Sequence, residues 1–171
     1  MDNEFSFATN LGWIALTWTG QGLRTLSLFG AARSGLADPP VWVREAAERI
    51  QAHLAGQPAD LTTIAIDLEG LPPFRRKVLE TLRATRAGET FTYGQLARMA
   101  GSPGAARAVG QAMARNPLPI VIPCHRVVAA DGPGGFSLFG SLASKERLLA
   151  LENVPLRHTG TPCTPLFPMN S

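Results

Sequence analysis

The stretch "NPLPIVIPCHRVV", Asn116 to Val128, sets a cysteine between a proline and a histidine, with strand-like apolar residues on both sides. On a regular strand the Cys124 and His125 side chains would point to opposite faces. Pro123 allows a bend there, and Arg126 adds positive potential behind the sulfur. A thiol has a pKa of about 8.5 and attacks only as the thiolate, so a nucleophilic cysteine needs a neighbour that lowers it. On these residues alone Cys124 is either a reactive thiol or a buried structural one.

Downstream, a Gly-rich loop "DGPGGFSLFG" leads into "SLASKERLLALEN", which reads as a closing helix. Glu152 follows Leu148 and Leu149 by four and three residues, on the side those leucines bury. A carboxylate at the negative end of a helix dipole is unfavourable there without a partner. A histidinium would serve, giving a Cys124–His125–Glu152 relay in which His125 takes the thiol proton directly or through a water. The alternative is a frayed helix end with Glu152 in solvent.

Upstream, "PPFRRKVLETLRAT" places Phe74, Val78, Leu79 and Leu82 on one apolar face, with Arg75, Arg76, Lys77 and Arg83 largely outside it. In "TYGQLARMAG", Thr92 and Gln95 form a capping-box pattern and Gly101 stops the helix. In "SPGAARAVGQAMARNP", Ser102 is the expected N-cap and Pro103 the first helical residue. Two short helices joined at Gly101–Ser102 predict a helix-turn-helix. On the second, Ala105, Val109, Ala112 and Met113 face inward, while Arg107, Gly110, Gln111 and Ala114 face away. A nearly bare outer face with one arginine fits close approach to a DNA minor groove, where side chains are inserted as wedges. It fits packing against another helix equally in kind.

The first 70 residues predict a small sheet with a helix: a hairpin over "GWIALTWTGQGLRTLSLF", a helix with Val43, Ala46, Ala47, Ile50 and Leu54 inward and Gly56 at its end, and a strand in "LTTIAIDLEG". His53 on that helix reads as a surface residue. The expected class is therefore α/β (α+β), with a structural domain over 1–70, a mostly helical domain over 71–155 carrying the helix-turn-helix and the cysteine loop, and a Pro-rich tail over 156–171. Residues 1–70 carry four arginines against eight acids, net −4, and residues 71–171 twelve basic against five acidic groups, net +7. This segregation suggests a basic half facing a polyanion, or an ordinary solvated surface. No apolar run reaches the ~20 residues of a membrane span, the acidic N-terminus is not a secretory signal, and two cysteines, Cys124 and Cys163, are too few for a disulfide framework. The expectation is a cytoplasmic chain with free thiols and no membrane contact.

Set beside "FTYGQLA", "AARAVGQAM" and "NPLPIVIP", the "PCHRV" motif resembles the O6-alkylguanine-DNA alkyltransferase family, densely from Phe74 to Glu152 and more loosely before it. The resemblance implies DNA repair by direct reversal: a flipped-out O6-alkylguanine gives its alkyl group irreversibly to Cys124, activated by His125 and Glu152. It implies no cofactor, a monomer, and minor-groove binding to duplex DNA through Arg107, the finger filling the gap left by the base, with Ala106, Ala108, Gly110, Gln111 and Ser102 beside it. Tyr93 would rotate the nucleotide and donate a proton toward the purine. Asn116 would brace the turn before the cysteine, and Pro119, Val127, Phe136 and Ser137 would line the base pocket.

Two features depart from the family pattern. "GGFSLFGS" stands where many relatives have a tyrosine followed by Ser-Gly-Gly, so Phe136 lacks a hydroxyl and Leu138–Phe139 read as an apolar insertion. Residues 1–70 contain no cysteine and one histidine, so the structural zinc site of some relatives is not available. Cys163 falls outside every motif. Rival readings are a lesion-binding sensor, whose kind lacks the motif cysteine, a cysteine hydrolase, and a plain helix-turn-helix regulator.

Overall fold

The structure, a computed structural model, describes residues 3–29, 38–130 and 142–154. The Gly-rich loop with Phe136, Ser137, Leu138 and Phe139 and the tail with Cys163 lie outside the described residues. A three-stranded antiparallel sheet opens the chain, with β1 (Glu4–Thr9), β2 (Gly12–Trp18) and β3 (Leu23–Phe29) in sequence order. The β2–β3 hairpin is the expected one, its ends tied by Thr19 N–H donating to the Gly22 carbonyl at 2.9 Å. β1 is an addition, since the sequence reading took the N-terminus only for its charge.

Helix α1 (Val41–Leu54) buries Val43, Ala46, Ala47, Ile50 and Leu54, the predicted face. The predicted strand in "LTTIAIDLEG" does not form. Asp60 accepts the Thr62 N–H and Asp67 accepts the Glu69 N–H, both at 2.8 Å, and these side chain–backbone turns curl the segment at both ends. Only a single parallel bridge of Ile66 to Leu23 remains.

Helix α2 (Pro73–Arg83) buries Val78, Leu79 and Leu82, as predicted. Two of its basic residues are less free than expected. Arg76 donates to the Leu68 carbonyl at 3.1 Å, and Arg83 donates to the Thr62 and Ile64 carbonyls. Strand β4 (Phe91–Thr92) leads directly into α3 (Tyr93–Met99), whose N-terminus carries both hydrogen bonds of the Thr92–Gln95 capping box. Gly101, with φ +78°, ends it.

The second helix of the pair, α4 (Ala106–Ala114), begins later than predicted. Ser102 is not its N-cap and Pro103 is not its first residue. Ala105 N–H donates to the Ser102 carbonyl at 3.1 Å, and Gly104 has φ +85°. A Pro-Gly pair at the centre of a four-residue turn with that sign of φ is a type II turn, and it takes up the residues expected to start the helix. α4 buries Val109, Ala112 and Met113.

Residues after Pro117 form a compact loop rather than the predicted strand, because Pro117, Pro119 and Pro123 lack the N–H a ladder needs. A 3₁₀ turn (Cys124–Arg126) follows, then β5 (Val127–Val128) parallel to β4, and α5 (Leu142–Leu151) closes the fold. One apolar core runs through both halves, from Ile14, Leu16 and Ile50 to Leu79, Leu96, Leu118 and Leu148. Each such side chain contributes about 1.5–3 kcal/mol by leaving water. Leu26 N–H of β3 donates to the Pro117 carbonyl at 2.8 Å, which ties the sheet to the loop before Cys124.

Candidate active site

Two short-range devices hold Cys124. Asn116 folds back on its own loop: its Oδ1 accepts the Leu118 N–H at 3.0 Å and its Nδ2 donates to the Ile122 carbonyl at 2.9 Å. Pro123, at φ −78° and ψ 66°, forms an inverse γ-turn in which Cys124 N–H also reaches the Ile122 carbonyl, at 2.8 Å. Ile120 in the same loop has φ +74°, a left-handed conformation rare for a β-branched residue. The sharp turn lets neighbouring side chains serve one site, which a strand would forbid.

His125 is fully buried, and its Nε2–H donates to Glu152 Oε1 at 2.9 Å. The other ring nitrogen, Nδ1, is buried and has no hydrogen-bond partner among the described residues. Arg126 serves Glu152 rather than the sulfur, contrary to expectation: its Nε donates to Glu152 Oε2 at 2.8 Å and a terminal nitrogen to Oε1 at 2.9 Å. Its remaining nitrogen donates to the Thr85 carbonyl and hydroxyl at 2.8 and 2.9 Å. Gly88 N–H reaches Glu152 Oε2 at 3.3 Å. Burial pushes the Glu152 carboxyl up, but the hydrogen bonds and charges of His125 and Arg126 outweigh it and hold the group at about 2. Glu152 is thus neither frayed nor solvated.

Burial also dominates the thiol, pushing Cys124 up to about 11 against the downward pull of the Asn116 hydrogen bond and the Lys145 charge. Burial lowers His125 below its ordinary 6.5, against the hydrogen bond and charge of Glu152. Sulfur and imidazole are therefore both neutral near pH 7. The preformed thiolate expected of a reactive cysteine is not the resting state.

Lys145 escaped the sequence reading. Its residue is 1% exposed, and Nζ donates to the Val127 carbonyl at 2.7 Å. Burial lowers it to about 8, and it and Cys124 act on each other electrostatically. The signal was available: Lys145, Leu148, Leu149 and Glu152 share one helical stripe, and the argument that singled out Glu152 applies to Lys145 too. Arg126, Thr85 and Gly88 as partners of Glu152 had no sequence signal, since they come together only in the fold.

Tyr93 starts α3, half-buried, with burial and then the Cys124 charge raising its hydroxyl above 10. Its ring lies 3.8 Å from where a Gly110 Cβ would stand. Gly110 therefore faces Tyr93 and is half-buried, a correction to its placement on the outward face. Arg107 and Gln111 are exposed on α4, while Ala106, Ala108 and Ser102 are half-buried. Pro119 and Val127 are buried. His53 is not the surface residue expected: it is half-buried, and its Nε2 has no partner among the described residues.

Asn116 braces the loop before the buried Cys124, the His125 that follows is bound to a carboxylate, and two short helices joined by a tight turn precede them, the features expected of a cysteine-dependent, DNA-associated protein. Comparison with known proteins agrees. Residues 73–154 match the family described as "6-O-methylguanine DNA methyltransferase, DNA binding domain". A methylated-DNA–protein-cysteine methyltransferase of Methanothermobacter thermautotrophicus is 34% identical over 146 residues, 84% of this chain and 81% of that protein. One of Mycolicibacterium paratuberculosis is 43% identical over 71% of this chain and 72% of its own length. The crystal structure of the Mycobacterium tuberculosis O6-methylguanine methyltransferase superposes with a TM-score of 0.75 at 30% identity, over 96% of this chain and 97% of that one. The chain belongs to the methylated-DNA–protein-cysteine methyltransferase family.

Proposed function

We propose that the protein repairs DNA by direct reversal, taking the alkyl group of O6-alkylguanine onto Cys124 in a single, irreversible turnover. The observation that carries this is the buried His125 imidazole, already held by Glu152, on the residue after Cys124 in a single 3₁₀ turn. Glu152 fixes His125 with Nε2 protonated, which leaves Nδ1 as the basic nitrogen. Nδ1 has no direct partner among the described residues, the sulfur included, so His125 accepts the thiol proton through a water, and its positive charge is then met by Glu152. Thiolate sulfur attacks the alkyl carbon, an S–C bond forms and the C–O6 bond breaks. The electron pair goes to guanine, which takes up a proton, with the Tyr93 hydroxyl beside the site as donor. The product thioether has no leaving group, so the protein is a stoichiometric reagent without a cofactor.

The O6 substituent of a paired guanine lies in the major groove, so the base must leave the stack to reach a buried sulfur, at a cost of a few kcal/mol. The exposed Arg107 on α4, with Gln111, Ala106 and Ala108 around it and Ser102 in the turn before it, is the surface assigned to the minor groove. The relatives support DNA as the partner: the M. tuberculosis protein, in a structure described as OGT in complex with DNA, superposes with a TM-score of 0.74 at 33% identity over 86% of this chain. Residues 71–155 form the acceptor and DNA-binding unit and 1–70 the unit that supports it. Pro119 and Val127 are assigned to the base pocket. The protein acts as a monomer in the cytoplasm; among the described residues no helix is long and apolar enough to cross a membrane.

The test is mass spectrometry after mixing with a duplex carrying one O6-methylguanine. The expected result is a Cys124 peptide heavier by one CH₂, with the lesion lost in equal amount. Lesion loss without a protein adduct, or binding without lesion loss, overturns the reading.

A further inference from the structure

The His125–Glu152 pair has a second side, facing the end of α1. Behind it lies a cavity of about 520 Å³, walled by the end of α1, the 57–62 loop, residues 83–87, 120–123 and 151–153. His53, Arg126 and Glu152 all line it. The last turn of α1 meets the end of α5 here: a Cβ on Gly56 would stand 3.6 Å from Leu151 Cδ2. His53 sits on that last turn, where the helix dipole favours a positive imidazole. Its buried Nε2 is without a hydrogen-bond partner among the described residues.

We propose that His53 is an outer histidine of the relay, through which the N-terminal half sets the proton affinity of His125 by way of Glu152. This rests on the relay assigned above. The charged and titratable groups around His53 are Glu152 from the end of α5, His125 and Arg126 from the 3₁₀ turn, and Asp60, Arg83 and Arg86 on the cavity wall. Of these, Glu152 favours the protonated imidazole, while His125 and Arg126 oppose it. Burial is the larger influence and keeps His53 neutral at pH 7, below its ordinary 6.5. Coupling is reciprocal. A proton on His53 draws on the same carboxylate that must receive the His125 charge, so the thiolate–imidazolium pair becomes harder to form. His53 touches no substrate and is a positioning residue.

The coupling makes Cys124 reactivity fall further at low pH than protonation of His125 alone would. It is measured as the rate of Cys124 alkylation by iodoacetamide in the full-length protein, from about pH 5 to 8. No damaged DNA is involved, so its outcome is separate from that of the lesion-transfer test. For His53→Gln, which cannot take the proton, the ratio of its rate to wild type should rise about threefold or more between pH 8 and pH 5.5. A ratio that does not change with pH overturns the proposal, since loss of packing alone would scale the rate equally at every pH. NMR gives the second measurement. The His53 midpoint should move to lower pH in Glu152→Gln, and the His125 midpoint should move to higher pH in His53→Gln. Unmoved midpoints in both variants reject the coupling, and the second stands on its own if Glu152→Gln does not fold.

Discussion

With burial holding its proton up to about 11, the Cys124 sulfur becomes a nucleophile only when a neighbour accepts that proton and another charge steadies the anion left behind. We assign the first task to His125 and the second to Lys145. Lys145→Met keeps the length of the side chain but deletes the charge, so the thiol midpoint, followed by thiolate absorbance, should rise further and iodoacetamide labelling at neutral pH should slow by tenfold or more, on the order of one pKa unit. Glu152→Gln should be felt in stability as well as in reaction. It leaves Arg126 buried beside a neutral amide, and removal of one partner from such a pair costs about 3–5 kcal/mol. The urea midpoint should fall accordingly. At this scale the pairing of His125 with Glu152 was legible because a carboxylate on an apolar helical stripe is odd for its place and calls for a partner. Arg126 was misjudged because its reach to Glu152 and Thr85 depends on chain segments far apart in sequence.

The elements were read well where periodicity or a cap decides them, as in α1, α2 and the Thr92–Gln95 start of α3. They were misread where local side-chain turns compete with regular structure. Asp60 and Asp67 dissolve a strand, and Pro103–Gly104 delays a helix. The type II turn gives a test of its own. Gly104→Ala places a Cβ on a residue at φ +85° and should destabilise the fold by about 1 kcal/mol or more, seen as a lower Tm. Arg107 on α4 is exposed and makes no stabilising contact in the core. Arg107→Ala should therefore leave the unfolding free energy within about 0.5 kcal/mol of wild type, yet slow methyl transfer from duplex DNA far more than from single strands, where no base needs extrusion. Equal slowing on both would remove Arg107 from the flipping step.

For the whole molecule the buried acid and histidines give a common sign. Glu152 is held at about 2, so its contribution is complete above its ordinary 4.5 and lost as pH falls through 2. His53 and His125 are lowered from 6.5, so the unfolded chain takes up their protons first, and stability declines as pH drops below 6.5. Denaturant midpoints should fall steadily from pH 7 to 3, without a plateau near pH 5. Charge segregation along the chain predicts a second global property: duplex binding that weakens steeply with salt, since each neutralised phosphate releases counterions.

The hydrogen bond from Leu26 to the Pro117 carbonyl carries a practical lesson about dividing this chain. The family match begins at residue 73, and a fragment cut there would keep Cys124, His125, Lys145 and Glu152. It would lose the strand against which the thiol's loop is braced, along with His53. Such a fragment would be a blade without its handle: still able to meet its target, but aiming its sulfur less firmly.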